Sequence, residues 1–425
     1  MKYFIQIYGC QMNYSDAERV AAILEKSGYE KTSEESEADL VVFVACAVRE
    51  SAVARLYGNG KKFKRYRLDN PNFKAVLTGC VVKKDQEKLG KIFDVIIDIK
   101  HINELPAKLG LEAKETEKEF DYFQIKPLRE NPFTAYVPIM TGCNNFCSYC
   151  IVPYTRGREY SRPIEEIIDE VSELVRQGYK EVILLGQNVN SYRPNETTDF
   201  PALLEKINGI EGDFWIRFLT SHPKDMSERL IKTVSESPKG TNHIHLALQS
   251  GSNDILEKMN RKYTKEHFFK LAETIRENIP EVMLTTDIIV GFPGETEEQF
   301  QETAELMRMA KFDIAYINKY SPRAGTASFE MLDDVDWEEK KRREDVLNAV
   351  LKETALENNQ RYIGRTVEVL IEKEDKKSYF GKTRSFKDIK IKKNETDKGT
   401  VGAFAKVKVT KVTPWALEGI LMNDY

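Results

Sequence analysis

Apolar residues fall in short runs along the chain, and over the first third these runs alternate between strand and helix periods. Tyr3–Tyr8, Leu40–Val44 and Ala75–Thr78 are apolar runs of strand length. After the first, Ser15 and Glu18 have the spacing of a capping box that opens a helix. Val20, Ile23 and Leu24 share its apolar face, and Gly28 ends it. Strand, helix and strand in that order predict a parallel sheet, and so an α/β domain over residues 1–130. The charged stretch from Glu112 to Glu130, which includes KETEKEF, has weak periodicity and reads as the linker that closes this domain.

Beyond it the pattern restarts. Tyr136–Met140, Glu181–Leu185, Phe214–Leu219, Ile244–Leu248, Leu284–Val290 and Ile314–Tyr320 read as strands, separated by helical intervals such as Ile164–Gln177 and Glu297–Ala310. Strand–helix units in this number predict a partial (β/α)6 barrel over residues 131–360, with site groups at the carboxyl ends of its strands. Asp336–Asn359 reads as a long polar helix leading out of it. From Arg361 the runs shorten. Thr366–Ile371, Ser378–Gly381, Lys387–Ile391 and Lys406–Val412, punctuated by Gly364, Gly381, Gly399 and Gly402, predict a small antiparallel β barrel over residues 361–425.

Composition adds location and charge. The chain has 425 residues, 41% of them hydrophobic, enough for two or three cores. Its opening, MKYFIQIYGC, lacks the layout of a secretion signal and no stretch could span a bilayer, so a cytoplasmic protein without membrane contact is expected. The net charge of −4 hides an asymmetry: residues 361–425 carry 15 Lys or Arg against 9 Asp or Glu, the rest 49 against 59. A basic module on an acidic body suits a polyanionic partner, and equally a solvated surface.

In a reducing compartment, six cysteines point to metals or catalysis more than to disulfides. Cys143, Cys147 and Cys150, in GCNNFCSYC, follow the first strand of the second domain with C-x3-C-x2-C spacing. Three thiolates on one tight loop can hold three corners of a [4Fe–4S] cluster and leave one iron open. A structural zinc ion needs a fourth ligand that this loop lacks, and His243 and His245 lie far along the chain in a predicted strand. Cys10, Cys46 and Cys80 each stand at or just past the end of a predicted strand in the first domain, where parallel strands would bring them to one edge. They suit a second three-thiolate cluster, or three buried core cysteines.

These residues resemble the radical S-adenosylmethionine (SAM) methylthiotransferases over essentially the whole chain. The phrases GCQMN (9–13), CAVRE (46–50), CIVPYTRGREYSRP (150–163), GQNVN (186–190), TSHP (220–223), LQSGS (248–252), TDIIVGFPGET (286–296) and YSPRAGT (320–326) fall in the order this family shows. They look most like the branch that modifies N6-isopentenyladenosine beside the tRNA anticodon. The branches acting on threonylcarbamoyladenosine and on a ribosomal-protein aspartate differ at GCQMN, CAVRE and TSHP. Two departures stand beside site residues: Val44-Ala45 replaces the usual Asn-Thr, and Ala247 replaces the usual Pro.

The resemblance implies two [4Fe–4S] clusters, one on each cysteine triad, and SAM bound at the Cys143, Cys147 and Cys150 cluster. It implies contacts to SAM from Gly186, Gln187, Ser250, Ile289 and Val290, and a C-terminal TRAM module that binds RNA. Arg156, Arg158 and Arg162 are candidates for phosphate or substrate contact, with ion-paired loop positions as the alternative. In the tail, Lys382, Arg384, Lys387, Lys390, Lys392 and Lys393 beside Tyr379 and Phe386 combine charge with stacking surface. Expected partners are the tRNA anticodon stem-loop, an electron-donor protein and the iron–sulfur assembly machinery, and the chain is expected to be a monomer. The competing readings are the other two methylthiotransferase substrates, an iron–sulfur RNA-binding redox sensor and a zinc-stabilised RNA-binding module.

Overall fold

The apolar runs of the first third form the middle of a parallel sheet. In the computed structural model, which describes residues 1–46, 50–80, 87–111, 122–394 and 399–422, strands β1 (Lys2–Tyr8), β2 (Glu30–Lys31), β3 (Leu40–Cys46), β4 (Lys74–Cys80) and β5 (Val95–Ile96) lie in the order β2-β1-β3-β4-β5. All neighbours are parallel. Strand residues alternate between faces, so Leu40, Val42 and Val44 pack with Val20 and Leu24 of helix α1 (Gln11–Lys26). Val41, Phe43 and Ala45 pack on the other face, against Phe63, Phe73 and Phe93.

Helix α1 starts ahead of the expected capping box. Cys10 is its N-cap, Asn13 Oδ1 accepts from Cys10 N at 3.1 Å, and Ser15 and Glu18 lie buried inside the helix. An Asn at the third helical position that reaches back to the cap does the work assigned to Glu18. The second half of the expected linker is bound back onto α1. Tyr122 Oη donates to Asp16 at 2.6 Å, Leu128 N to Glu18 O, and Arg129 lies 3.5 Å from Glu18. KETEKEF, residues 47–49 of CAVRE and the residues just past Cys80 lie outside the described residues.

The chain divides into two compact units. The first is Met1–Asn131 with Tyr136–Arg162 and Arg323–Thr326; the second is Pro132–Ala135 and Pro163–Pro322 with Ala327–Tyr425. The cysteine loop of the expected barrel therefore belongs with the N-terminal sheet, and the tail belongs with the barrel strands. In the second unit, β9 (Glu181–Leu185) and β10 (Trp215–Phe218) are parallel, as are β11 (His243–His245), β12 (Met283–Val290) and β13 (Ile314–Lys319). A parallel bridge from Ser221 to Leu246 joins the two groups. Helices Ile164–Arg176 and Glu297–Ala310 cover these strands through buried Ile167, Val171, Phe300 and Met307, and Trp337–Gln360 follows with Asp336 as its N-cap.

The tail closes into a barrel, β14 (Thr366–Glu374), β15 (Ser378–Thr383), β16 (Asp388–Lys392), β18 (Leu417–Leu421) and β17 (Phe404–Val412) in that order. Strand β18 was not foreseen. It runs antiparallel to β17 but parallel to β16, so the barrel is mixed. Leu417 points inward to complete a core with Val369, Ile389, Ile391 and Val407. This barrel does not stand apart from the strands before it. Trp215 packs on Phe404 at 4.6 Å between ring centroids, with Phe133 and Leu370 around them. Lys387, 4% exposed, reaches Asp313, 0% exposed, at 2.5 Å. Among the described residues no helix is long and apolar enough to cross a membrane.

Lys387→Met leaves the Asp313 carboxylate buried without its nearest cation. Breaking a buried pair costs about 3–5 kcal/mol, and Arg276 at 4.0 Å and Arg361 at 3.9 Å take up part of the loss. The expected destabilisation is about 2–3 kcal/mol, read as a lower urea midpoint in tryptophan fluorescence.

Candidate metal centres

The sheet order has its switch between β1 and β3, where crossovers leave in opposite directions and ligand sites of such sheets lie. Cys10 follows β1 there, and Cys46 ends β3. Cys46 and Cys80 are register partners on β3 and β4. Cys10 sits at the positive end of a 16-residue helix, which favours an anionic ligand set. Gly79 has φ +102°, and a Cβ there would meet Ala45 O at 2.4 Å. Only glycine lets β4 bring Cys80 beside β3 in this conformation. Cys80 is buried; burial pushes its thiol up, while Arg156 beside it pulls the other way.

The second triad is built in the same unit. Strand β6 (Thr134–Pro138) leads into β7 (Met140–Thr141), which pairs antiparallel with β8 (Tyr160–Ser161), so the segment between β7 and β8 closes as a loop. Gly142 has φ +78°, and a Cβ on it would meet Arg158 O at 2.1 Å. Cys143 N donates to Gly157 O at 3.2 Å and Cys150 N to Cys147 O at 2.9 Å. Cys143 and Cys147 are buried, Cys150 half-buried, and burial pushes the Cys143 thiol up. Among the described residues no three His, Cys, Asp or Glu side chains gather around a single-ion position. A cubane puts its three thiolates on three different irons and does not need such a position, so an all-sulfur donor set spread over one loop, or over three strand ends, fits the cluster.

Arg156 joins the two triads. The short helix α2 (Val152–Thr155) carries the chain from Cys150 to Arg156, whose Nε donates to Cys80 Sγ at 3.1 Å. Its Nη2 lies 2.5 Å from Asp16 Oδ2. Expected to face RNA, Arg156 is 4% exposed, because Asp16 supplies the anion that lets a guanidinium be buried. Arg162 is also buried and lies over Phe123 at 5.7 Å. Arg158 remains exposed, over Phe146 at 4.4 Å.

In the second unit, the residues expected at SAM lie at strand ends, as the barrel pattern required. Gly186 follows β9, and its carbonyl accepts from Thr220 Oγ1 at 2.7 Å. Among the described residues, Gln187 Oε1, Asn190 Oδ1 and Ser221 Oγ are buried without hydrogen-bond partners, as a pocket for a polar ligand leaves them. Ser250 is fully buried and bonds inward to Ser252 N and Thr303. Ile289 is half-buried, whereas its neighbour Val290 is fully buried on the opposite face of β12. Thr220 and Gln249 hold φ of +67° and +74°, strained for residues with a side chain. Asn188 ties this end together, donating to Asp225 at 2.7 Å and accepting from His222 N. Asn188, Thr220, His222 and Gln249 lie within GQNVN, TSHP and LQSGS, but no spacing in those phrases distinguishes them from their neighbours. His243 and His245 are buried, hydrogen-bonded to Thr285, and His245 also to Asp287.

The expected RNA face of the tail is largely turned inward. Phe386 is held between the His243 ring, at 4.9 Å, and the Arg217 guanidinium, at 4.2 Å. Arg384 donates to the carbonyls of Gly240 and Pro238, Lys387 pairs with Asp313, and Tyr379 is 5% exposed. Lys382 pairs with Asp388 and lies over Phe386. Sequence alternation alone could not tell which face of a small barrel packs on its neighbour. Lys373, Lys390, Lys392, Lys406 and Lys408 remain exposed. Half-buried Phe380 lies between Lys373 and Lys390 in the register.

Burial, with Arg261 and Lys224 nearby, holds the His222 imidazole down to about 2 from the ordinary 6.5. The folded chain therefore keeps His222 neutral while the unfolded chain takes up a proton below about 6.5, and stability is lost as pH falls. The melting temperature is expected to drop between pH about 7.5 and about 5.5, and to drop less in His222→Asn.

Residues 137–307 match the radical SAM superfamily, residues 2–99 an uncharacterized protein family, UPF0004, and residues 360–422 the TRAM domain. The chain is 44% identical to the tRNA-2-methylthio-N(6)-dimethylallyladenosine synthase of Thermoanaerobacter pseudethanolicus, over 99% of this chain and 93% of that one. To the protein of the same name from Syntrophomonas wolfei it is 42% identical, over 100% and 98%. A solved radical S-adenosylmethionine methyltransferase from Kitasatospora setae, 13% identical and covering 77% of each chain, superposes with a TM-score of 0.56, a likeness of fold alone. With three family segments matched along the chain and relatives above 40% identity aligned nearly end to end, the chain belongs to the family of tRNA-2-methylthio-N(6)-dimethylallyladenosine synthases.

Proposed function

We propose that this chain transfers a methylthio group to C2 of N6-isopentenyladenosine beside the anticodon of tRNA. The observation that carries the reading is that both cysteine triads belong to one compact unit, with Arg156 running from the loop of one to a ligand of the other. Cys143, Cys147 and Cys150 would hold the cluster that binds SAM; Cys10, Cys46 and Cys80 would hold the auxiliary cluster. When bound, these clusters and SAM supply electrons, a carbon radical and the sulfur and methyl group for transfer.

The chain's own residues have positioning work to do. Strands β3 and β4 hold Cys46 and Cys80 in register, and the β7–β8 pair closes the loop of the other triad. At the strand ends of the second unit, Gly186 and Gln187 are the expected contacts to the methionyl end of SAM, with Ser250, Ile289 and Val290 as further candidate contacts. The buried, unpartnered oxygens of Gln187, Asn190 and Ser221 favour a polar ligand there. The anticodon stem-loop would meet the exposed lysines Lys373, Lys390, Lys392, Lys406 and Lys408, with Phe380 offering a face for stacking. Arg158, in the loop that follows Cys150, is a further candidate for contact with the RNA. An electron-donor protein and the iron–sulfur assembly machinery complete the partners, in the cytoplasm, with the chain acting as a monomer.

After anaerobic reconstitution, incubation with SAM, reductant and tRNA with or without the isopentenyl group is expected to yield the methylthio nucleoside only from the prenylated tRNA, read by nucleoside mass spectrometry. SAM cleavage without a tRNA product would overturn the substrate while leaving the radical chemistry standing.

A further inference from the structure

A guanidinium, a phenol and an amide surround Asp16 inside the first unit. Asp16 is fully buried, with Arg156 Nη2 at 2.5 Å and Nη1 at 3.5 Å, Tyr122 Oη at 2.6 Å and Asn13 Nδ2 at 3.4 Å. Arg19 is also fully buried. It donates through Nη1 to Ser15, lies over the Tyr122 ring at 4.7 Å, and among the described residues its Nε and Nη2 have no hydrogen-bond partner. Arg129 lies nearby on Glu18, whose carboxyl burial pushes up to about 7. Among the described residues, the Arg156 guanidinium meets the Asp16 carboxylate and the Cys80 sulfur. Buried charge needs a counter-ion. Arg156 aims its Nε at the Sγ of Cys80, the atom that stands for a ligating thiolate.

We propose that Arg156 is a positioning residue for the auxiliary cluster: its N–H···S bond and charge at Cys80 raise that cluster's reduction potential, and Asp16 is the counter-charge that sets how far. The inference rests on reading Cys10, Cys46 and Cys80 as cluster ligands. A thiolate bound to iron keeps lone pairs free to accept a hydrogen bond. Reduction adds negative charge to the cluster, so a donor and a cation at its sulfur stabilise the reduced form more than the oxidised one. A neighbouring carboxylate does the opposite. Arg156 also lies just past Cys150 in the chain, so the loop of the SAM-binding triad is tied at its exit to a ligand of the other triad.

The test uses the full chain carrying Cys143→Ala, Cys147→Ala and Cys150→Ala, so that iron enters the auxiliary site alone. After anaerobic reconstitution with ferrous iron and sulfide, iron content is measured and the potential titrated by electron paramagnetic resonance. Arg156→Gln is expected to lower the potential by about 59 mV, a tenfold change in a one-electron equilibrium. Asp16→Asn is expected to raise it by a similar amount. The double variant should return near the parent, and Arg156→Lys, which keeps charge but loses the fork onto Asp16, should fall between Arg156→Gln and the parent. A charge pair that merely holds the fold would change iron loading or melting without opposite shifts in potential. Loaded Arg156→Gln and Asp16→Asn variants titrating with the parent, or both moving in one direction, overturn the proposal. Should Arg156→Gln not load, Asp16→Asn and Arg156→Lys decide by the same signs. A parent that takes up no iron overturns instead the assignment of Cys10, Cys46 and Cys80.

Discussion

Parallel strands that end in register place their last residues side by side, and the first unit depends on that constraint. Cys46 and Cys80 are partners on β3 and β4, and Cys10 leaves β1 at the point where the sheet order switches. Three cysteines far apart in the chain reach one edge because apolar packing on both faces of β3 fixes which residues pair. Gly79 makes the last step of β4 sterically possible. This candidate site is therefore a product of core packing and needs no local motif.

Buried charge is the second organising element. In the first unit, Asp16 draws Arg156 inward and with it the end of the Cys143–Cys150 loop. In the second, Asp313 draws Lys387 inward, and Arg217 and His243 enclose Phe386. Buried ion pairs add little stability beyond an apolar substitute, but they penalise any arrangement that separates the partners. Both pairs join segments distant in sequence, and both convert a basic residue that looks suited to RNA into one that fastens the chain to itself.

Fold class and element order were legible in the sequence because apolar periodicity survives without tertiary information. The Cys143, Cys147 and Cys150 loop was legible as local spacing. What escaped was set by tertiary contacts. The start of α1 depends on Cys10 and Asn13, a cap unlike the Ser15 and Glu18 pattern that composition favours. Strand β18 is short and completes the barrel only by inserting between β16 and β17, parallel to one and antiparallel to the other. The inward turn of Arg156, Arg384, Phe386 and Lys387 depends on partners at Asp16, Gly240, His243 and Asp313, and no local pattern encodes them.

The central claim is that two separate triads each hold a cluster. Mössbauer spectroscopy of the iron-57 reconstituted chain tests it, beside one variant with Cys10, Cys46 and Cys80 changed to Ala and another with Cys143, Cys147 and Cys150 changed to Ala. Two [4Fe–4S] clusters in the unaltered chain and one in each variant is the predicted result. A single cluster in the unaltered chain, or full iron retained when Cys10, Cys46 and Cys80 are removed, would contradict it.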